Sequence, residues 1–180
     1  MVHVRESGEF GRVRGEKMRE KGYTLVEILV VVAILGIFLT VSYPGISNSL
    51  AVRGLENQAR SILGSFKQAK FQAVRTKLNH RVRFDNSLGY WTYYVEQEVN
   101  YLVWQEVPNK GRKSIPQKYV TTVNLPGSVI VFTPLGMAGN YSTTQHNITL
   151  QNPHLANLGQ PSRRIVNVFA GGSIQYAKAT

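Results

Sequence analysis

The chain reads as an α+β protein: one long N-terminal helix whose second half lies against an antiparallel β-sheet head. Three observations predict it. The run Leu25–Val41 is apolar except for Glu27. An apolar stripe of helical period follows at Leu55, Ala59, Ile62, Phe66, Ala69 and Ala73. From His80 the period changes to two, in short runs rich in Val, Ile, Tyr and Trp. One helix followed by many strands is the order of an α+β arrangement.

Residues 1–22 are polar, with Arg5, Arg12, Arg14, Lys17, Arg19 and Lys21 against Glu6, Glu9, Glu16 and Glu20. Such a stretch ahead of an apolar run reads as a targeting leader and not as structure. Met18 offers a second start, with Met-Arg-Glu-Lys-Gly as a shorter leader. Residues 23–43 then form the membrane-spanning half of the helix. At about 1.5 Å per residue the apolar run covers roughly 25 Å, and its flanks bring it near the ~30 Å hydrocarbon core of a bilayer. Basic residues cluster before the run and none follows until Arg53, which places the leader in the cytoplasm and the remainder outside. A secretory signal would have a shorter apolar core and an A-x-A-like cleavage site, absent here. Glu27 is the odd residue, because a carboxylate at mid-membrane depth costs about 2.5–3.5 kcal/mol or more unless it is paired or reaches the headgroups.

Pro44 lacks an N–H and crowds the preceding turn, so a kink is expected there. Residues 44–78 form the amphipathic half of the helix, whose stripe must be covered by a sheet. Gly54 and Gly64, each costing about 1 kcal/mol relative to alanine, mark weak points where it bends. Residues 79–180 form the head. Its strands are expected at 80–84, 89–95, 98–107, 119–123, 128–132, 147–150 and 164–169. The turn signals Asn-Ser-Leu-Gly, Pro-Asn-Lys-Gly and Pro-Leu-Gly separate them, and Gly171-Gly172 with Ser173–Ala177 closes a terminal hairpin. Cysteine is absent, so no disulfide supports this head.

The block Lys21-Gly22-Tyr23-Thr24-Leu25-Val26-Glu27 closely resembles the class III signal of type IV pilins and type II secretion pseudopilins. The resemblance implies cleavage between Gly22 and Tyr23 by a prepilin peptidase and N-methylation of Tyr23. It also implies assembly through Glu27, which pairs with a neighbouring subunit's N-terminal amine. The family most often has phenylalanine where this chain has Tyr23. Three further segments, Gln68–Phe84, Val129–Gly136 and Arg164–Ile174, look like the GspH/FimT group of minor pilins and pseudopilins. In that group a helix ending in Ala-x-x-x-Ala-Val/Ile-x-Arg leads into a strand, a Phe-x-Pro-x-Gly turn sits mid-domain, and a Gly-x-Ile/Val hairpin closes the chain.

The implied protein is a pilin-like structural subunit of a type IV pilus or type II secretion pseudopilus. Its partners would be prepilin peptidase, other pilins or pseudopilins, the inner-membrane assembly platform and membrane lipid. It would cross the bacterial inner membrane once, cytoplasmic N-terminus and periplasmic head, before entering the filament. Because a tip subunit has no neighbour above it, Glu27 suggests a place just below the tip or within the shaft.

The residues supply little for catalysis. Beyond the apolar run the acids are Glu56, Asp85, Glu96, Glu98 and Glu106, without a Gly-x-Ser-x-Gly or His-Glu-x-x-His arrangement. His80, His146 and His154 lack metal-ligand spacing and cysteine companions; no enzyme, metal or cofactor is expected. Of the formal charge of +11, the leader's six basic and four acidic residues leave +9 on the rest. A solvated face or attraction to anionic lipid explains such a surplus. The alternative is a phosphate-tracking surface for DNA. Some GspH/FimT members serve as DNA receptors in natural transformation, through basic residues near the C-terminal hairpin. Arg163, Arg164 and Lys178 are the candidates here, although the hairpin itself carries Ser173 and Gln175.

Overall fold

The computed structural model describes residues 22–108 and 110–179, with the backbone alone at 41–44. The leader therefore lies outside the described residues, apart from Gly22. The chain forms two units, one ending at Ser42 and one beginning at Tyr43.

Helix α1 spans Leu25–Thr76. In the first unit Thr24 precedes it as N-cap: its hydroxyl accepts the Glu27 N–H at 3.1 Å and its carbonyl accepts the Ile28 N–H at 3.2 Å. Every described side chain from Leu25 to Thr40 is exposed. No helical segment is by itself both long and apolar enough to cross a membrane, among the described residues; Leu25–Thr40 and Gly45–Thr76 meet length and composition together.

The second unit is built on the predicted stripe. Leu55, Ala59, Ile62, Phe66, Ala69 and Ala73 are all fully buried and belong to one core cluster. The alanines keep the stripe low, so that the sheets approach the helix, and Phe66 projects from it into the core. Its ring meets Phe84 edge-on at 6.0 Å and Phe132 at 6.4 Å, and Phe84 stacks on Tyr93 at 5.5 Å. Burying Tyr93 requires a partner for its hydroxyl, which Ser61 on α1 provides at 2.9 Å. The helix continues through Gly54 and Gly64, which are not break points. At Gly54 a β-carbon would come within 2.9 Å of the Tyr119 hydroxyl, so this glycine makes room for a buried ring.

The head has two antiparallel sheets. The first is ordered β3 (Val103–Glu106), β2 (Thr92–Asn100), β1 (His80–Asp85), β6 (Val129–Phe132), with β4 (Lys113–Ser114) also on β2. The second is ordered β5 (Val120–Asn124), β7 (Asn147–Gln151), β8 (Arg163–Val168), β9 (Ile174–Ala179). A 3-10 turn at Pro126–Ser128 joins β5 to β6. A short helix, α2 (Pro153–Asn157), follows β7, capped by the Asn152 side chain on the His154 N–H. Val82, Phe84, Ile130 and Phe132 from one sheet and Ile148, Leu150, Val166 and Val168 from the other share the core with α1.

The expected runs 89–95 and 98–107 divide elsewhere. β2 continues to Asn100, and the chain reverses at Tyr101-Leu102, with Leu102 in the left-handed region at φ 60°. Nothing in that tetrapeptide is a favoured turn residue except Asn100; the reversal is held by the Glu98 carboxylate, which accepts the Leu102 N–H.

The two glycine turns meet. The turn at Gly136 (φ 76°) and the one at Gly172 (φ 70°) pack so closely that a β-carbon on Gly172 would fall on the Gly136 carbonyl. Ala138 N–H donates to Ala170 O at 3.0 Å, and Lys70 on α1 donates to Gly172 O at 2.9 Å. The turns thus clamp the two sheets to the helix. Beside them the edge of β6 is closed: the Asn140 amide accepts the Val131 N–H at 2.8 Å and donates to Val129 O at 2.9 Å, and Gly139 N–H donates to Val131 O.

The outer face of the first sheet is polar and aromatic. Arg81 and Arg83 both donate to the Glu96 carboxylate, which is nearly buried. The Arg81 guanidinium lies 4.1 Å over the Trp104 ring, and Arg112 lies 4.1 Å over Tyr94 while pairing with Glu106.

Two outcomes follow from this core. Phe66→Ala is expected to cost about 3–5 kcal/mol, read by denaturant unfolding of the full chain in detergent. His80 is buried, its Nδ1 donating to Leu78 O at 3.1 Å, and burial holds its pKa below the ordinary 6.5. The unfolded chain then binds a proton at higher pH than the folded one, so stability falls as pH drops below about 6.5 and levels once the folded ring titrates. His80→Asn should remove that slope in melting temperatures taken from pH 7.5 to pH 5.

Candidate functional site

The first turn of α1 concentrates the predicted processing and assembly residues. Gly22 and Tyr23 precede the helix without regular secondary structure, and Tyr23 is 77% exposed. An exposed, unstructured peptide bond is what a peptidase needs, and Gly22 has no neighbour within 4 Å of where a β-carbon would sit. Thr24 caps the helix and Glu27 occupies its third position, the spacing of a capping box. That Thr-x-x-Glu signal was present in the sequence and adds a second role to both residues. The positive end of the helix dipole lies at Glu27, which offsets part of the cost of an acid in an apolar setting. Glu27 is exposed and has no salt-bridge partner among the described residues. The side chain of Pro44, expected to kink the helix, lies outside the described residues; the backbone there is helical.

The candidate DNA contacts do not form one surface. Arg163 and Arg164 are consecutive on β8, so their side chains leave opposite faces of the sheet. Arg163 is exposed and reaches Gln151 at 3.4 Å. Arg164 is 2% exposed, and its guanidinium donates to the carbonyls of Pro161 at 3.0 Å and Arg163 at 2.8 Å. Its reading as a phosphate contact is therefore corrected: the β period turns it into the core. Lys178, paired with Arg164 in the β8–β9 register, makes an ion pair with Glu56 at 3.5 Å. Glu56 also pairs with Arg60 at 2.7 Å, and these two cations, Arg60 first, hold its carboxyl below the ordinary range. Arg81 and Arg83, from the basic cluster at the helix end, are engaged by Glu96.

The histidines are far from a common centre in role. His80 is buried against Leu78 O, His146 lies between Tyr141 and Phe169, and His154 contacts Asn48 at 3.1 Å. Among the described residues no group of three His, Cys, Asp or Glu side chains could hold a metal ion.

Residues 17–43 match the family model described as the prokaryotic N-terminal methylation motif. No curated protein and no solved structure gives a significant match to the chain. The matched segment spans the positions expected for cleavage, methylation and assembly, and it supports a type IV pilin- or pseudopilin-like protein, processed by a prepilin peptidase and assembled with other pilins.

Proposed function

We propose that this chain is a minor pilin or pseudopilin of the GspH/FimT type, a structural subunit of a type IV pilus or a type II secretion pseudopilus. The observation that carries the reading is the methylation motif over 17–43, with Glu27 exposed in the first turn of a helix whose apolar surface has no cover within its own unit. Cleavage after Gly22 creates a cation at Tyr23, four residues from Glu27. A one-subunit offset lets each Glu27 meet its neighbour's amine, so polymerisation satisfies a charge that a lone subunit leaves unpaired. The helix enters the bacterial inner membrane with its leader cytoplasmic and its head periplasmic, waits there in lipid beside the assembly platform, and passes into the filament. Pro44 acts as the hinge between the membrane half and the half fixed to the head.

DNA uptake draws its support from the +9 charge beyond the leader, which is sequence-independent. The burial of Arg164 and the pairing of Lys178 with Glu56 favour filament assembly over a dedicated hairpin contact with DNA.

Protein extracted from membranes of cells with an active prepilin peptidase should begin at a methylated Tyr23 by intact mass; retention of Lys21 and Gly22 would overturn the processing step. Glu27→Ala should leave membrane insertion and processing intact while removing the protein from sheared filaments. Undiminished incorporation would exclude the proposed pairing.

A further inference from the structure

The end of the head at the C-terminus of α1 carries apolar side chains that the fold leaves open. Phe71 is 63% exposed and Val74 and Leu78 about 40%, while the β2–β3 tip adds Tyr101 at 87% and Leu102 at 69%. Leu135, in the turn after β6, is 83% exposed. Four of them line two shallow hollows. Phe71 and Val74 line one shallow hollow of about 260 Å³ with Lys67 and Lys70, and the Gly136 turn lies against Val74 and Lys70. Past the end of α1, Leu78 lines a second hollow of about 310 Å³ with Val99 and Tyr101.

The surface is held in place. The Glu98 carboxylate accepts from the Asn79 side chain at 2.6 Å and from the Leu102 N–H at 3.0 Å, and Glu98 N–H donates to Asn79 O at 2.9 Å. This ties the hairpin tip to Asn79, the residue before β1. Leu102 sits at φ 60°, a conformation costly for a branched side chain, yet that side chain points mostly to solvent. Burial within the head does not offset the cost.

The rim is positive. Lys67 and Arg75 lie four residues either side of Phe71 and so share its helix face. Among the described residues Lys67, Lys70, Arg75 and Lys77 form no ion pair. Glu98, the nearby acid, is consumed internally. An apolar centre with a charged rim is the anatomy of a protein interface, and the charge selects the occupant. A second copy meeting this face isologously would bring like-charged rims together.

We propose that this end of the head docks a different protein chain that presents an apolar ridge flanked by aspartate or glutamate. The proposal stands on the head alone and does not depend on how the N-terminal helix is used.

The test places p-benzoylphenylalanine at Phe71 of the full chain in cells that make it, with Leu88, exposed in the β1–β2 turn, as the control position. The expected result is a cross-link from position 71, absent from position 88, to one other protein, mapping to apolar residues flanked by acids. Lys67→Glu with Arg75→Glu should lower its yield about tenfold or more, and reversing the mapped acids on the partner should restore it. Leu102→Gly suits the left-handed backbone, so it should keep or raise the melting temperature while still lowering the yield. Cross-linking to a second copy or to lipid, no product beyond the control, or a yield indifferent to charge reversal would each overturn the proposal.

Discussion

Among the described residues, nothing in its own unit covers the apolar surface of α1 up to Thr40. Side chains exposed all round a helix call for lipid or for other helices of the same kind. The one acid in the run sits where a helix tolerates it best, in the capped first turn, and becomes useful once a cation is generated nearby. In the proposed filament, hydrophobic burial supplies the attraction and the ion pair supplies the register. Neither alone would do both, since apolar helices slide and a single ion pair holds little surface.

Past Tyr43 the same helix obeys a different requirement. Its alanine-rich stripe is covered by two sheets, and Phe66 fills the space that the alanines leave. The sheets are pinned by glycine turns at 136 and 172, which touch each other and the Lys70 ammonium. The motifs that carried the resemblance in the head are thus mutually dependent: a side chain at Gly172 would push away the turn at Gly136.

Much of this was legible because periodicity reports burial directly. The stripe from Leu55 to Ala73, most strand cores and the closing hairpin were read from spacing alone. The β2–β3 reversal was not, because its geometry comes from a contact between Glu98 and a backbone N–H and not from a turn residue. β4, two residues long, has no period to read, and α2 was signalled only by Asn152-Pro153. Arg163 and Arg164 were chosen for their place near the closing hairpin, and sequence distance does not report that a strand sends such neighbours to opposite faces. Glycine 54 was read by propensity, but its role is set by the Tyr119 ring, which lies 65 residues away in sequence.

The closure of β6 by Asn140 bears on how the protein survives crowding. An unpaired strand edge is a template that recruits further strands, and association of that kind is hard to reverse. A side-chain amide that mimics the missing strand removes the template along this edge without adding another chain. The head is thereby protected from strand addition along β6, while β3, β5 and β9 still end their sheets.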